Sequence, residues 1–141
     1  MKDIATHELF HRLITLYRPF EINLNAQLNT HNLHRAQWTV LYYLYNIGPA
    51  TLVEISHYQG VEKPTITRTF ASLEKLGYVE RVQGKDKREK RMRLTETGKN
   101  IYEQVRITID QYERNILEGI SEEEQQNMMH IMERMRNNIL K

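Results

Sequence analysis

The chain has 141 residues, of which 40% are hydrophobic and 27% charged, with a formal net charge of +2; this composition is typical of one globular domain, not of a disordered chain. No run approaches the ~20 consecutive apolar residues of a membrane-spanning helix and the N-terminus has no apolar signal core, so we expect a cytoplasmic protein without membrane contact. Cysteine is absent, which excludes disulfides, thiolate metal sites and thiol-based redox sensing.

Charge is sorted along the sequence. Residues 81–93 carry seven cations and two anions, whereas residues 110–133 carry seven carboxylates and one arginine. A chain whose net charge is close to zero has no general need to separate its cations and carboxylates into different regions. This separation predicts one surface that meets a polyanion and another surface that does not.

The first predicted helix covers residues 8–28. Its apolar residues recur at steps of three and four, the spacing of one helix face, and are Leu9, Leu13, Leu16, Phe20, Leu24 and Leu28. Pro19 lies inside this stretch and has no backbone N–H to donate, so we expect a kink there.

Two shorter helices are predicted at residues 34–45 and 51–58, with a turn between them that contains glycine and proline. Gly60 is expected to end the second helix. The residues placed on one side are Trp38, Leu41 and Tyr45 in the first helix, and Leu52 and Ile55 in the second.

Residues 63–75 form the next predicted helix. Pro64 suits its first turn, where a missing N–H costs nothing, and Gly77 suits the position beyond its end. The inward stripe consists of Ile66, Phe70, Leu73 and Leu76. The opposite side carries short hydroxyls and cations, namely Lys63, Thr65, Thr67, Arg68, Ser72 and Lys75.

Two short strands, YVERVQ and KRMRLT, flank a loop that contains Gly84. In the second strand apolar residues alternate with arginines, which is the period of a half-buried strand. The loop concentrates lysines and arginines. We interpret its two carboxylates, Asp86 and Glu89, as groups that orient the arginines.

Two further helices are predicted at residues 96–118 and 121–140. The apolar positions of the first are Ile101, Val105, Ile109, Tyr112 and Ile116. Ser121 and Glu124 have the spacing of a capping box at the start of the second. That helix carries a narrow stripe typical of a helix-packing seam, namely Met128, Met132, Met135 and Ile139.

A pair of short helices followed by a basic hairpin predicts a winged helix-turn-helix, mainly α with a small β-hairpin. In that arrangement the second helix of the pair enters the major groove, and the hairpin loop, or wing, reaches the backbone or the minor groove. The expected partner is double-stranded DNA. The candidate contacts are Lys63, Pro64, Thr65, Thr67, Arg68 and Ser72 on the helix, and Lys85, Asp86, Lys87, Arg88, Lys90 and Arg91 on the wing.

Several segments together match one known pattern. They are PTITRTFASLEKLGYVER at 64–81, AQWTVLYYL at 36–44, TLVEIS at 51–56, and the pattern D-x-R…L-T-x-x-G made by Asp86, Arg88, Leu94, Thr95 and Gly98. In these segments the chain resembles the MarR family of bacterial transcription regulators, and the resemblance covers nearly the whole sequence.

This resemblance implies a homodimer that binds palindromic operator DNA, usually as a repressor that a small ligand releases. It also implies that Thr65, Thr67 and Arg68 face bases or phosphates and that Arg88 enters the minor groove. No effector-specific residue is recognisable. The cysteine that oxidant-sensing members use is absent.

The apolar stripes of the three long helices exceed what the small DNA-binding module can cover. Because exposed stripes are costly in water, we expect a two-fold homodimer. The chain would then consist of an N-terminal dimerisation helix (1–33), the winged module (34–95) and C-terminal dimerisation helices (96–141), within one structural domain. The expected interface residues are Leu9, Leu13, Leu16, Met128, Met132, Met135 and Ile139.

Other interpretations stay open at this point. The same wing would suit a winged-helix module that binds protein, or coats DNA without sequence preference, and has no ligand response. The sequence has no recognisable nucleophile motif, phosphate loop or metal motif, so we expect no enzymatic activity and no cofactor. His7 and His11 have acceptable spacing for a metal, but no carboxylate–histidine cluster completes the set. The eight tyrosines are either core rings or the lining of an aromatic-ligand pocket.

Overall fold

The computed structural model describes the backbone of residues 2–83 and 90–141, and the side chains of these residues from position 4 onward. Its elements run in the order helix, helix, helix, helix, hairpin, helix, helix, as predicted. They are α1 (Lys2–Asn29), α2 (Arg35–Asn46), α3 (Leu52–Gln59), α4 (Lys63–Lys75), β1 (Val79–Gln83), β2 (Lys90–Leu94), α5 (Glu96–Ile116) and α6 (Glu122–Ile139). In the part of the chain that the structure describes, no helix is both long enough and apolar enough to cross a membrane.

The chain forms two compact units. The first comprises residues 1–110 and the second residues 111–141, so the boundary falls within α5. The core of the first unit consists of side chains from α1 to α5 and from the hairpin. Its largest fully buried members are Phe70, Leu28, Leu33, Leu41, Ile55, Ile66, Leu73, Met92, Ile109, Val40 and Val105.

The strands β1 and β2 form an antiparallel hairpin in which Val79 pairs with Leu94 and Arg81 with Met92. Met92 and Leu94 are buried, which confirms the predicted alternation in β2. A third segment, which the sequence pattern did not indicate, joins at Ala50. Its N–H donates to the carbonyl of Met92 at 3.1 Å, and the N–H of Met92 donates to the carbonyl of Ala50 at 2.7 Å. This bridge ties the segment before α3 to the middle of β2.

Two expectations about the first unit need correction. The first helix begins at Lys2, well before residue 8. Leu76 is 46% exposed because α4 ends at Lys75 and Leu76 serves as its C-cap, outside the inward stripe. The first helix is continuous through Pro19, where the kink stays a prediction. Tyr45 is 41% exposed, but its ring and that of Trp38 both stack on Tyr102, so the two lie on one side of α2 as predicted.

The second unit begins with the last turns of α5 and contains α6. The capping box is present as predicted: the N–H of Glu124 donates to the Ser121 hydroxyl at 3.1 Å, and the N–H of Ser121 donates to the Glu124 carboxylate at 3.0 Å. The hydrogen bond that the Glu124 carboxylate accepts from the Ser121 N–H, followed by its interaction with the Ser121 hydroxyl, lowers the pKa of Glu124 below its ordinary value. No residue of α6 is buried, and Ile116 in the preceding helix is also exposed.

Candidate nucleic-acid interface

The helices α3 and α4 form the helix-turn-helix pair, and the turn between them depends on Gly60. This residue has a φ of +67°, the left-handed conformation that commonly ends a helix. Its N–H and that of Val61 donate to carbonyls in the last turn of α3. Pro64 then lies in the first turn of α4. The chain therefore reverses within a few residues, and α4 packs against α3, α2 and β1.

One side of α4 is buried and the other is exposed. The buried residues are Ile66, Thr69, Phe70 and Leu73. The exposed residues are Lys63, Pro64, Thr67, Arg68, Ala71, Glu74 and Lys75, while Thr65 is half-buried. Ala71 was not among the sequence candidates, although it follows Thr67 by four positions and Arg68 by three and so shares their face. Its methyl group is of the kind that contacts the thymine methyl in the major groove.

The two candidate threonines, Thr67 and Thr65, differ in how accessible their side chains are to an external partner. The Thr67 hydroxyl is exposed and donates to the Lys63 carbonyl at 3.0 Å. Its oxygen lone pairs therefore face solvent as acceptors. Thr65 is half-buried, and its carbonyl accepts from the Thr69 hydroxyl at 3.0 Å. Thr67 and Arg68 are thus better placed than Thr65 to reach an external partner.

Ser72 does not belong to the exposed face. It is half-buried, and its hydroxyl accepts from the Gln37 side-chain amide at 3.2 Å and donates to the Thr69 carbonyl at 2.7 Å. Gln37 lies in α2 and is buried. The helical period places Ser72 at the border between the two sides of α4, and packing against α2 turns its hydroxyl inward.

Arginines of the described part of the hairpin pair with carboxylates. Arg81 of β1 lies 3.5 Å from Glu74 of α4, and Arg93 lies 2.8 Å from Glu80 on the opposite strand, both measured between nitrogen and oxygen. Arg81 also lies over the ring of Phe70, 5.6 Å from its centroid. Pairs as exposed as these contribute about 0–1 kcal/mol each. The Arg81 contacts link the hairpin to α4, whereas the Arg93 pair joins its two strands.

Arg91 is one of the predicted wing contacts, and it lies in β2 opposite Val82, near the loop end of the described hairpin. Its guanidinium donates to the Pro49 carbonyl at 3.2 Å and lies 3.4 Å from Glu54. It therefore links β2 to the turn before α3. Lys90, by contrast, is exposed. The remaining predicted wing contacts, Lys85, Asp86, Lys87 and Arg88, lie outside the described residues, as does Glu89.

The predicted dimer residues of α1 are exposed in the single chain. Leu9, Leu13 and Leu16 are 54%, 44% and 50% exposed. Other large apolar residues of the same helix are also exposed, namely Ile4, Phe10, Ile14, Tyr17 and Ile22. This apolar surface is wider than the stripe that the sequence pattern predicted.

The α6 stripe is exposed as well. Met128 and Met132 are 47% and 45% exposed, Ile139 is 77% exposed, and Met135 is half-buried. Isolated exposed apolar residues are ordinary, but a continuous stripe along a helix marks an interaction surface.

The histidine pair was considered as a set of metal ligands, and the tyrosines as core rings or as the lining of a ligand pocket. His7 and His11 are both exposed on α1. Among the described residues no three or more His, Asp or Glu side chains are grouped as metal ligands would be.

Tyr102 is buried and stacks on Trp38 and Tyr45, with ring centroids 4.9 and 4.2 Å apart. The hydrogen bond from the Tyr45 hydroxyl to Glu103 raises the pKa of Tyr45. These rings therefore pack on one another.

Comparison with known proteins identifies the family. The family model described as "MarR family" matches residues 31–89. The HTH-type transcriptional regulator YwoH of Bacillus subtilis is 38% identical over 127 residues, which cover 90% of this chain and 93% of the relative. The chain belongs to the MarR family.

Solved MarR structures share the fold of this MarR family chain. Staphylococcus aureus MarR, solved in complex with salicylate and kanamycin, has a TM-score of 0.86 and 29% identity, covering 97% of this chain and 93% of that one. A mutant MarR from E. coli, solved in complex with operator DNA, has a TM-score of 0.77 and 25% identity, covering 89% and 91%.

The L-T-x-x-G segment of this MarR family member has a clear structural role. The Thr95 hydroxyl donates to the Gly77 carbonyl at 2.6 Å and accepts from the N–H of Gly98 at 3.0 Å. The N–H of Thr95 donates to the Tyr78 carbonyl at 3.0 Å. One threonine thus caps the start of α5 and fastens it to the turn that follows α4, which fixes α4 relative to the hairpin.

Proposed function

We propose that this MarR family chain is a homodimeric transcription regulator that binds palindromic operator DNA and acts as a repressor. The observation that carries this proposal is the exposed polar face of α4, opposite a largely apolar buried side, in the second helix of a helix-turn-helix pair. The operator complex of E. coli MarR, the 25% identical relative, supports the same use of the fold. The proposal assigns the chain no catalytic role and places it in the cytoplasm with its DNA.

Each side chain has a distinct part in the proposed complex. Lys63, Pro64, Thr65, Thr67 and Arg68 would lie at the major groove, with Arg68 and Thr67 contacting base edges or phosphates. The wing residues Lys85, Asp86, Lys87, Arg88, Lys90 and Arg91 would form the second contact, with Arg88 in the minor groove and with Asp86 and Glu89 orienting the arginines. Ser72 is left out because its hydroxyl is engaged inside the protein.

The dimer part of the proposal rests on the exposed apolar surfaces of α1 and α6. Residues 1–33 and 96–141 would supply the interface and residues 34–95 the DNA-binding module. Two-fold pairing would place two recognition helices roughly 34–36 Å apart, one helical turn of DNA. The expected interface residues are Leu9, Leu13, Leu16, Met128, Met132, Met135 and Ile139.

A small-molecule ligand would release the protein from DNA by binding more tightly to a dimer whose recognition helices are wrongly spaced. Linkage requires DNA to weaken ligand binding by the same factor by which the ligand weakens DNA binding. The salicylate complex of S. aureus MarR, a 29% identical relative, supports a ligand response.

The DNA proposal is tested by titrating a palindromic operator, selected from genomic fragments with the purified protein, at several salt concentrations. Affinity should fall steeply as salt rises because phosphate contacts release counterions. Arg88→Ala should weaken binding to every sequence and reduce the salt slope by about one unit. Arg68→Ala should change base preference, whereas Lys99→Ala, which removes a cation of α5 that is not among the proposed DNA contacts, should change neither property. An affinity that ignores salt contradicts the proposal.

The dimer proposal is tested by sedimentation of variants that place a charge on the apolar surface. Leu13→Glu should shift the protein toward monomer and weaken operator binding. Val53→Glu adds the same charge at a residue of α3 that is 58% exposed and outside the proposed interface, and should leave the mass unchanged. Wild-type protein that sediments as a monomer at micromolar concentration overturns the proposed dimer.

A further inference from the structure

One buried amide joins the start of α2 to the last turn of α4. Gln37 is only 6% exposed. Its side-chain oxygen accepts from the N–H of His34 at 3.1 Å, and its side-chain nitrogen donates to the Ser72 hydroxyl at 3.2 Å. Ser72 in turn donates to the Thr69 carbonyl at 2.7 Å. The Gln37 side chain therefore links the N–H of His34, the residue before α2, to Ser72, whose hydroxyl bonds to the backbone of α4.

This link differs in kind from the apolar contacts of α4. Ile66, Phe70 and Leu73 bury the helix through apolar contacts, which are not directional. A hydrogen bond adds a constraint on both distance and angle, and a buried amide that loses its partner is destabilising. The Arg81–Glu74 pair is also directional, but both of its side chains are exposed, whereas Gln37 is buried. Gln37 is therefore suited to set the rotation and depth of α4 against α2.

The start of α2 is itself fixed by α1. The N–H of Arg35 donates to the Asn25 side-chain oxygen at 2.9 Å. The Arg35 guanidinium lies 3.1 Å from the Glu21 carboxylate and donates to the Tyr17 hydroxyl at 3.1 Å. These polar contacts therefore form one connected series from α1, through residues 34–37, to α4.

We propose that Gln37 is a positioning residue for sequence recognition, which holds α4 at the rotation that base contacts require and couples that rotation to α1. The inference rests on the proposed role of α4 in DNA binding. Base readout depends on donors and acceptors at fixed positions, whereas phosphate attraction tolerates displacement. Loss of Gln37 therefore affects recognition of the right sequence more than attraction to any duplex.

The first test replaces Gln37 with methionine, which has a similar length and no hydrogen-bonding amide. Gln37→Met should lower operator affinity about tenfold, which corresponds to about 1.4 kcal/mol. Its affinity for an unrelated duplex should change less than twofold, and its salt slope should match the wild type. Gln104→Met, at an exposed glutamine of α5, is the matched control and should change neither affinity. Equal losses on both duplexes, or no loss on either, overturn the proposal.

The second test separates positioning from a general loss of folding. Ser72→Ala removes the partner with little change of volume, and should reduce the ratio of operator affinity to unrelated-duplex affinity in the same direction. In the double variant the two losses should not add, because both remove one contact. Additive losses overturn the proposal, and Ser72→Ala alone decides it if Gln37→Met does not fold. Arg68→Ala tests the underlying function separately, because operator affinity that ignores Arg68 refutes the role of α4 itself.

Discussion

Replacing Gly98 with alanine should destabilise the protein, although alanine is the better helix former. Gly98 lies in the first turns of α5, where its N–H donates to the Thr95 hydroxyl. A Cβ at this position would overlap the carbonyl oxygen of Tyr78 and lie only 2.9 Å from the carbonyl carbon. Both atoms are backbone, so no rotamer change can relieve the contact. The start of α5 would have to move away from the turn after α4.

The size of the effect follows from two opposing contributions. Overpacking a well-packed site typically destabilises by about 1–3 kcal/mol, and a contact with backbone belongs at the upper end. Alanine recovers up to about 1 kcal/mol of helix propensity relative to glycine. The expected net loss is therefore about 2 kcal/mol. For a chain of this length the melting temperature should fall by roughly 4–8 °C.

The assay is urea unfolding followed by circular dichroism at one fixed protein concentration, because dimerisation makes apparent stability depend on concentration. Asn100→Ala, at an exposed position two residues later in α5, also places alanine in this helix but without the backbone contact, so its midpoint should not fall below the wild-type value. A Gly98→Ala midpoint at or above the wild-type value would refute the reasoning, since the propensity gain would then exceed the steric loss.

Three further predictions concern stability. Gly60→Ala should destabilise the protein by about 1–2 kcal/mol in urea unfolding, because a side chain is disfavoured at its φ of +67°. A Cβ there would meet no atom within 4 Å, so the loss is one of backbone conformation alone. An unchanged stability would contradict the role given to this turn. Phe70→Ala should destabilise by about 3–5 kcal/mol in the same assay, since Phe70 is 1% exposed; a loss below that of Gly60→Ala would contradict it. Hydrogen bonds with Ser121 depress the pKa of Glu124, so its stabilising contribution is present above the ordinary pKa and is lost as pH falls through the folded value. Thermal melts from neutral to acid pH should therefore show a weaker dependence in Glu124→Gln, and an unaltered dependence would count against the capping box.

The sequence predicted the order of the elements because each is specified locally. The repeat of Leu9, Leu13 and Leu16 at helical spacing, and the alternation of Met92 and Leu94 with arginines, hold whatever packs against them. The Ser121–Glu124 capping box is likewise contained within four residues. The family resemblance followed from the same local segments, and the family comparison confirmed it.

Errors occurred where a residue lies at the edge of a pattern. Leu76 continues the stripe of α4 by spacing, but the helix ends at Lys75 and the side chain is exposed. Spacing alone predicts Ser72 to be a surface hydroxyl, but packing against α2 turns its hydroxyl toward Gln37. Gln37 gave only a weak signal, a glutamine three residues after the start of a helix, which does not reveal a partner 35 positions away.

The sequence by itself determined which residues form helices and strands and which face of each element is apolar, because hydrophobic periodicity is a property of neighbouring residues. Tertiary structure decided how the elements are fastened together: Ala50 to Met92, Arg91 to Pro49, Gln37 to Ser72, and Gly98 against Tyr78. These contacts join residues distant in the chain, and they depend on distances and angles that exist only once the core has packed.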